Sequence, residues 1–361
     1  MNQQELSIGS VATHESKRNY PFNCWWVGAT TEEVTRKPIS RWLLEQRVVL
    51  FRTEDGAVAA LEDRCAHRWA PLSLGKLIGD EIACLYHGFR YNTQGRCTLV
   101  PSQARPPAAL KVKSYPVRES GSLVWLWMGD PERADPALLP VVPWFTDPAF
   151  VRIDGYIEVG CNYMAVQENI LDMTHIAFLH AASAQADPNQ AEGWQEPPVD
   201  VQGTERTVTI ILSHRDVPVG PVPATTMGIE PTKRINRRIE ETFASPGCHF
   251  GGMDMEDPSP QEGGRAHYSF RTLHCVTPIS PNRCHYWWAN AQDYAHQLPK
   301  RDLKAMSEAV LMEDKYLLEA IQATREQDLR GDNVPEFSVA ADRAPMLARG
   351  ILKRMLDAEA G

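Results

Sequence analysis

The stretch CAHRWAPLSLGKLIGDEIACLYHGF, residues 65–89, carries two cysteines and two histidines as Cys65-x-His67 and Cys84-x-x-His87. Thiols and imidazoles at such short spacing bind metal where cysteines stay reduced. A structural zinc site commonly presents both cysteines first and both histidines afterwards. Here each half supplies one of each. That interleaving suits a [2Fe-2S] centre in which two thiolates hold one iron and two imidazoles the other. Cys65 and Cys84 are then the inner ligands, and His67 and His87 the outer ones. Exchanging two thiolates for neutral imidazoles reduces the negative charge and raises the reduction potential. Exposed imidazoles also couple electron transfer to protonation. Gly88 permits a tight loop after the second pair. A zinc knuckle, or cysteines buried in a β core, are the alternatives.

A second constellation lies in QENILDMTHIAFLH, residues 167–180. On a helix, Asn169, Asp172 and His175 share one stripe, because positions three apart are neighbours. His180 falls about 140° round from His175 on an ideal helix. Both imidazoles reach one metal only if the helix is broken or bulged between them, as π-bulges at functional sites do. Two histidines and one carboxylate make the facial triad of a non-haem Fe(II) oxygenase, with positions left open for O2. A helix carrying two structurally satisfied histidines is the alternative.

The elements that must position these residues are of two kinds. From about residue 20 to 130 the pattern is short strands joined by tight turns. RVVLFRT (47–53) precedes the Asp55-Gly56 turn signal, AVAALEDR delivers Cys65, and DEIACL leads to Cys84. FRYNTQGRCTLV reads as a hairpin turning near Gln94-Gly95, and SLVWLWMGD as an apolar strand. The segment DPERADPALLPVVPWFTDPAF, dense in proline and aspartate, reads as a linker. Residues 131–361 then form a second unit, with residues 1–19 as an N-terminal arm. Its strands are expected at VRIDGYIEVG, TERTVTIILSH, HYSFRTLHCVT and RCHYWWANAQDY. Its helices are expected around residues 163–180, over PKRDLKAMSEAVLMEDKYLLEAIQATREQ and over APMLARGILKRMLDAEA. The fold class is α+β, a small β module followed by a larger sheet covered by helices.

The chain is 361 residues long, 43% hydrophobic and 23% charged, with a formal net charge of −9. This is the composition of a globular protein of about two domains. The acidic balance argues against nucleic acid, since phosphate binding wants a basic surface. The first residues hold no apolar core of a secretory signal. The apolar run LVWLWM is far too short to cross a membrane. A cytoplasmic location follows, in which the eight cysteines remain thiols or metal ligands.

The pattern Cys-x-His-Arg…Pro-Leu-Ser-x-Gly…Cys-x-Tyr-His-Gly-Phe resembles the Rieske module of the Rieske-type non-haem iron oxygenases. Ala66 and Leu85 stand at loop positions where that family often has proline. Trp69 is expected to shield the cluster, and Cys97 falls outside the pattern. The motif Asn-x-x-Asp-x-x-His-x4-His within GCNYMAVQENILDMTHIAFLHAASAQAD resembles the iron segment of the vanillate and dicamba O-demethylase group. The resemblance covers nearly the whole chain and implies a helix-grip-like catalytic domain. It implies His175 and His180 as iron ligands, with the carboxylate at Asp314 in LMEDKYLLEAI and Glu313 as the rival. It further implies that Asp172 links His175 to His87 of a neighbouring subunit, in a head-to-tail homotrimer.

What the resemblance implies for chemistry is oxygenation. A ferredoxin or flavin reductase feeds the cluster, Asp172 relays electrons to Fe(II), and O2 is used to hydroxylate or O-demethylate an aromatic substrate. An aryl O-methyl group would end as formaldehyde and a phenol. His274 and Asn236 fall at substrate-contacting positions, while Ala305 falls where the family has a tryptophan beside the iron carboxylate. An aromatic carboxylate or sulfonate is the expected substrate class. Lys233, Arg234, Arg237 and Arg238 are either its counter-charges or a solvated face. Arg68 is a candidate contact for an acidic ferredoxin. No flavin or nicotinamide fingerprint is evident, so electrons come from a separate protein. N-demethylation and ring dioxygenation share these metal sites, and a non-catalytic iron–sulfur electron carrier or sensor is the alternative of another class.

Overall fold

The structure is a computed structural model that describes residues 20–180, 200–330 and 334–360. The arm expected at 1–19 and the polar stretch following His180 lie outside the described residues. Ten short strands come first: β1 (Trp25–Thr30), β2 (Ile39–Leu43), β3 (Gln46–Arg52), β4 (Val58–Glu62), β5 (Lys76–Ile78), β6 (Glu81–Ala83), β7 (Arg90–Tyr91), β8 (Cys97–Leu99), β9 (Val117–Ser120) and β10 (Leu123–Trp127). They pair as three antiparallel sheets, ordered β1-β10-β9, β2-β3-β4 and β5-β6-β7-β8. Strand β10 explains its own sequence. Val124 and Leu126 face one core, Leu123, Trp125 and Trp127 another, so every residue of LVWLW is buried. Two-sided burial of this kind needs an unbroken apolar run.

The linker of the sequence reading is a series of 3-10 turns, Pro131–Arg133, Pro136–Leu138 and Pro143–Thr146. Asp130 and Asp135 cap the first two by accepting from Glu132 N and Ala137 N. Proline at the first turn position suits such a start, where no N–H is missed. Phe145 then buries against Trp25, Trp125 and Trp127, which docks the segment on the β module.

Strands β11 (Val151–Val159), β12 (Asp200–Gly203), β13 (Thr207–Pro218), β14 (Arg234–Ala244), β15 (Cys248–Glu256), β16 (His267–Ser280) and β17 (Arg283–Gln292) form one antiparallel sheet, ordered β11-β17-β16-β15-β14-β13-β12. The helices are α1 (Tyr163–Leu171), α2 (Ile176–Leu179), α3 (Pro221–Met227), α4 (Lys300–Gln327) and α5 (Arg343–Ala360). The expected N-terminal β unit and helix-covered sheet are both present. Strands β14 and β15 had no counterpart in the sequence reading. RINRRIEETFA carries three arginines and two glutamates, yet Ile235, Ile239 and Phe243 keep the alternation of a half-buried strand. No helix among the described residues is long and apolar enough to cross a membrane.

One core runs through Trp26, Leu50 and Leu126 of the β module into Leu212, Ile239 and Tyr286 of the large sheet and Leu311 and Ile351 of α4 and α5. A separate core of Val49, Phe51, Leu61, Leu72 and Tyr91 lies beneath Cys65 and Cys84. Leu72, fully buried between the two cysteine loops, contributes about 1.5–3 kcal/mol of burial. It ties the loops into one rigid base.

Candidate active site and metal centres

The two cysteine loops have the same hydrogen-bonded frame. Cys65 N donates to Ala70 O at 2.8 Å and Trp69 N to Cys65 O at 3.0 Å; Cys84 N donates to Phe89 O at 2.8 Å and Gly88 N to Cys84 O at 3.0 Å. In each loop the fifth residue is left-handed, Trp69 at φ 61° and Gly88 at φ 72°. Glycine meets this conformation without strain, whereas a tryptophan there costs about 1–2 kcal/mol. The Arg64 guanidinium over the Trp69 ring at 4.2 Å offsets part of that cost. Both thiols are buried, while His67 and His87 are exposed, with ring centroids 4.8 Å apart. Buried sulfur ligands and outward imidazoles fit the mixed centre inferred from the sequence. Tyr91 Oη lies 3.2 Å from Cys65 Sγ and accepts from Ala66 N at 3.2 Å. Trp69 is 71% exposed, so it borders the loop tip and does not cover it. Arg68 is also exposed there.

The second constellation departs from the expected helix. Helix α1, capped by Asn162 accepting from Met164 N, stops at Leu171. Asp172 is extended (φ −108°, ψ 95°) and restarts the chain as an N-cap, its Oδ1 accepting from Thr174 N at 2.9 Å and Thr174 Oγ1 at 2.6 Å. A 3-10 turn, Met173–His175, leads straight into α2. The break therefore precedes His175, and no bulge separates the two histidines. Asp172 reaches His175 through its main-chain carbonyl, which accepts from Nδ1. Its carboxylate is engaged with Thr174, a contact the stripe argument had not anticipated.

The outcome is a compact donor set. His175, His180 and Asp314 place one donor atom each within 4.8 Å of one another. Asp314 Oδ1 is 3.5 Å from His175 Nε2, 3.3 Å from His180 Nε2 and 3.1 Å from Asn169 Nδ2. Burial opposes ionisation of Asp314, but hydrogen bonds from the two imidazoles outweigh it and hold the carboxyl well below the usual range. Burial likewise opposes a charge on His180, yet Asp314 and Glu313 together raise it. Glu313, the rival in the sequence, stands outside that donor set. Its Oε2 takes the other ring nitrogen, Nδ1 of His180, at 2.8 Å. Neighbouring helix positions point about 100° apart, and here they grip opposite sides of one imidazole.

This cluster opens into an apolar cavity of about 360 Å³ between the large sheet and α4. Leu303, Met306, Ser307, Val310 and Asp314 line it from one helical stripe. Ala305 is exposed and off that stripe, so the wall position is held by Met306 and Ser307. His274 lines the same cavity, with Nδ1 2.8 Å from the Tyr286 hydroxyl. Burial pushes its pKa down to about 4, which keeps the ring neutral.

Asn236 does not belong here. Ile239 and Glu241 of β14 face the cavity, and the even-numbered Asn236 has the opposite parity. It lies in a separate cleft, with Nδ2 on Glu256 at 2.9 Å and Oδ1 accepting from Asp216 N at 3.2 Å. The four cations considered as counter-charges are elsewhere too. Lys233 pairs with Asp257, Arg234 with Asp216 and Arg238 with Glu240, while Arg237 is buried in the cleft of Asn236. Among the described residues no lysine or arginine lines the cavity. The residue that sequence reasoning missed is Glu241, buried at 2% exposure on the cavity wall. Its signal was parity, a carboxylate in phase with Ile239 and Phe243. A side chain at Gly251, directly opposite, would come within 2.7 Å of Glu241 Oε2, so only glycine leaves the carboxyl its place.

A mixed Cys/His loop pair and a His-His-Asp cluster beneath one apolar cavity define a Rieske non-haem iron oxygenase. Residues 24–116 match the Rieske [2Fe-2S] domain, and residues 159–358 match the vanillate O-demethylase oxygenase C-terminal domain. The chain belongs to this family, as an oxygenase component whose cofactors are a [2Fe-2S] cluster and a mononuclear iron. It is 32% identical over 316 residues to the dicamba O-demethylase oxygenase component of Stenotrophomonas maltophilia, covering 84% of this chain and 88% of that one. It is 32% identical over 355 residues to a toluene-4-sulfonate monooxygenase iron-sulfur subunit of Comamonas testosteroni, covering 94% and 98%. A chloroacetanilide N-alkylformylase oxygenase component of Rhizorhabdus wittichii is 28% identical over 356 residues, covering 93% and 96%. The crystal structure of dicamba monooxygenase bound to 3,6-dichlorosalicylic acid superposes with a TM-score of 0.84 at 28% identity, over 94% of this chain and 98% of that one. The non-catalytic carrier is thereby set aside.

Proposed function

We propose that this oxygenase is the terminal component of an electron-transfer system that hydroxylates an aromatic substrate or removes an O- or N-bound alkyl group from it. The observation that carries the reading is the convergence of His175, His180 and Asp314 at the wall of the apolar cavity. Two imidazoles and a carboxylate are the donor set that holds non-haem Fe(II) with open positions. On this reading Cys65 and Cys84 hold the inner iron of the cluster, and His67 and His87 the outer one. When bound, the two cofactors supply one-electron transfer and O2 activation, chemistry that belongs to the metals.

The chain's own residues bind, orient and exclude water. Glu313 accepts from His180 Nδ1 and the Asp172 carbonyl from His175 Nδ1, which leaves both Nε2 atoms facing Asp314. Asn169 Nδ2 steadies the Asp314 carboxylate. The apolar wall takes one aromatic ring, and neutral His274 offers Nε2 as its remaining hydrogen-bonding atom. Residues 20–130 act as the electron-accepting domain and 131–361 as the catalytic one. A ferredoxin or flavin reductase supplies electrons from outside the chain, in the cytoplasm. Asp172 meets His87 of a neighbouring subunit in a homotrimer, a role that its position beside His175 and the outward imidazoles at the loop tip support.

The relatives act, by name, on dicamba, toluene-4-sulfonate and a chloroacetanilide. The test is a panel of methoxylated, methylated and N-alkylated aromatics with purified protein and an artificial reductase, read by O2 consumption, formaldehyde and product analysis. Substrate-dependent formaldehyde or a hydroxylated product is expected, and a His175→Ala variant should yield neither. Oxygen uptake with no oxidised product from any member would overturn the reading, and a cis-diol would redirect it to ring dioxygenation.

A further inference from the structure

We propose that Glu241 is a specificity residue of the cavity, and that its carboxyl donates a hydrogen bond from Oε1 to an oxygen acceptor on the aromatic substrate, a carboxylate or a neutral carbonyl. The inference rests on the oxygenase reading above, whose cavity it concerns.

Glu241 lines the cavity, and only one of its two carboxyl oxygens is engaged. Oε2 accepts from the Thr272 hydroxyl at 2.9 Å, the one hydrogen bond of that hydroxyl among the described residues. Oε1 is buried and has no partner among them. Burial favours the neutral acid and pushes the group up to about 8, against the pull of the Thr272 hydrogen bond. With Oε2 accepting, the proton of the neutral acid sits on Oε1, which is then a donor without an acceptor. Leaving a buried donor unmatched costs free energy that a ligand oxygen recovers. A carboxylic acid kept neutral by an apolar site can serve as such a donor near neutral pH.

The sheet holds the group in this posture. Glu241 pairs across to Gly251, Gly251 to Thr272 and Thr272 to Asn290. The bare glycine lets Oε2 lie where a Cβ would come within 2.7 Å, and Thr272 ties it there from the next strand. One oxygen is thus bound to the sheet, and the other is left for a ligand. Among the described residues no lysine or arginine lines the cavity, so a substrate oxygen must be met by neutral donors. A second one, Gln292 Nε2, lies on the same wall, buried and without a partner among the described residues.

The donor is present below about pH 8 and is lost as the pH rises through that value. Across from Glu241, β13 sets apolar Ile210. The titratable and charged groups around it among the described residues are Arg237 on its own strand, His249 on β15, His274 on β16 and Tyr286 on β17, with Tyr294, Asp314, His175 and His180 on the further walls. A glutamine at 241 keeps a donor and removes the titration, which separates Glu241 from all of them.

The test uses metal-loaded, full-length protein and four matched ligands in each positional isomer: a methoxybenzoate, a methoxybenzamide, a methoxyacetophenone and a methoxytoluene, the last without the acceptor. Binding is measured by calorimetry under anaerobic conditions at pH 7 and pH 9, and turnover separately by product formation. At pH 7 the best acceptor-bearing ligand should bind at least tenfold tighter than its methoxytoluene, about 1.4 kcal/mol. That advantage should fall about tenfold by pH 9, as the donor ionises. A benzoate that binds tighter than the amide and the ketone would support the proposal with an acid as the source of the oxygen, and the reverse order would support it with a neutral carbonyl. Glu241→Gln should keep an advantage that no longer changes with pH. Glu241→Leu should lose the advantage at pH 7, which serves should the glutamine variant fold poorly. Equal binding of the methoxytoluene by the wild type, binding of no acceptor-bearing ligand, an advantage unchanged at pH 9, or one kept by folded Glu241→Leu would overturn the proposal. The predicted preference without any oxidised product would support the role of Glu241 and count against the oxygenase reading alone. Equal binding with turnover of all four ligands would leave oxygenation standing and remove that role.

Discussion

The two metal centres are built on opposite plans. The cluster loops draw their four proposed ligands from one short segment, share one hydrogen-bond frame and point their imidazoles outward. The mononuclear site draws its donors from a broken helix and from α4, far along the chain, and encloses them beside a cavity. The first geometry is set by local turns and a small separate core beneath them. The second depends on how the whole sheet and α4 pack. The contrast suits their tasks, since an electron port must be reached from outside and an oxidising centre must be shielded from water.

Four substitutions sharpen that contrast. Asp314→Ala should cost the most, removing the mononuclear iron and all turnover while the cluster's absorption stays intact. Iron content should fall from about three to about two per chain. Loss of the cluster as well would mean that the centres are not independent. Asp172→Asn preserves a good N-cap, so stability should hold. Both metals should remain while turnover is lost; wild-type turnover would remove Asp172 from the electron route. Glu313→Gln should weaken iron binding about 10–100-fold by loosening His180, as read by chelator competition, with no change at the cluster. Tyr91→Phe should have the smallest effect and act at the other centre. It takes a hydroxyl away from Cys65 Sγ and should lower the cluster potential by about 40 mV, the equivalent of ~1 kcal/mol. An unchanged potential would show that the hydroxyl serves only Ala66 N.

The same contrast governs what the sequence makes legible. Cys65, His67, Cys84 and His87 can be read directly, because their spacing is itself the chemistry. His175 and His180 are nearly as plain, but the helix break at Asp172 is not, since it follows from the capping bond to Thr174. Asp314 and Glu313 are adjacent in sequence, and only the fold assigns one to the donor cluster and the other to His180 Nδ1. Asn236 is misplaced by a resemblance blind to strand parity. Glu241 escapes notice because its neighbours look like a solvated charge run, although the apolar residues two places to either side mark its face.

Gly251 has an evolutionary consequence. Any side chain there would sit 2.0 Å from the Glu240 carbonyl, a main-chain atom fixed by strand pairing. That position cannot drift, so variation in ligand preference along this row must be written at 241, 272 or 290. Laboratory evolution toward new compounds should leave this glycine untouched while it changes the side chains that line the cavity.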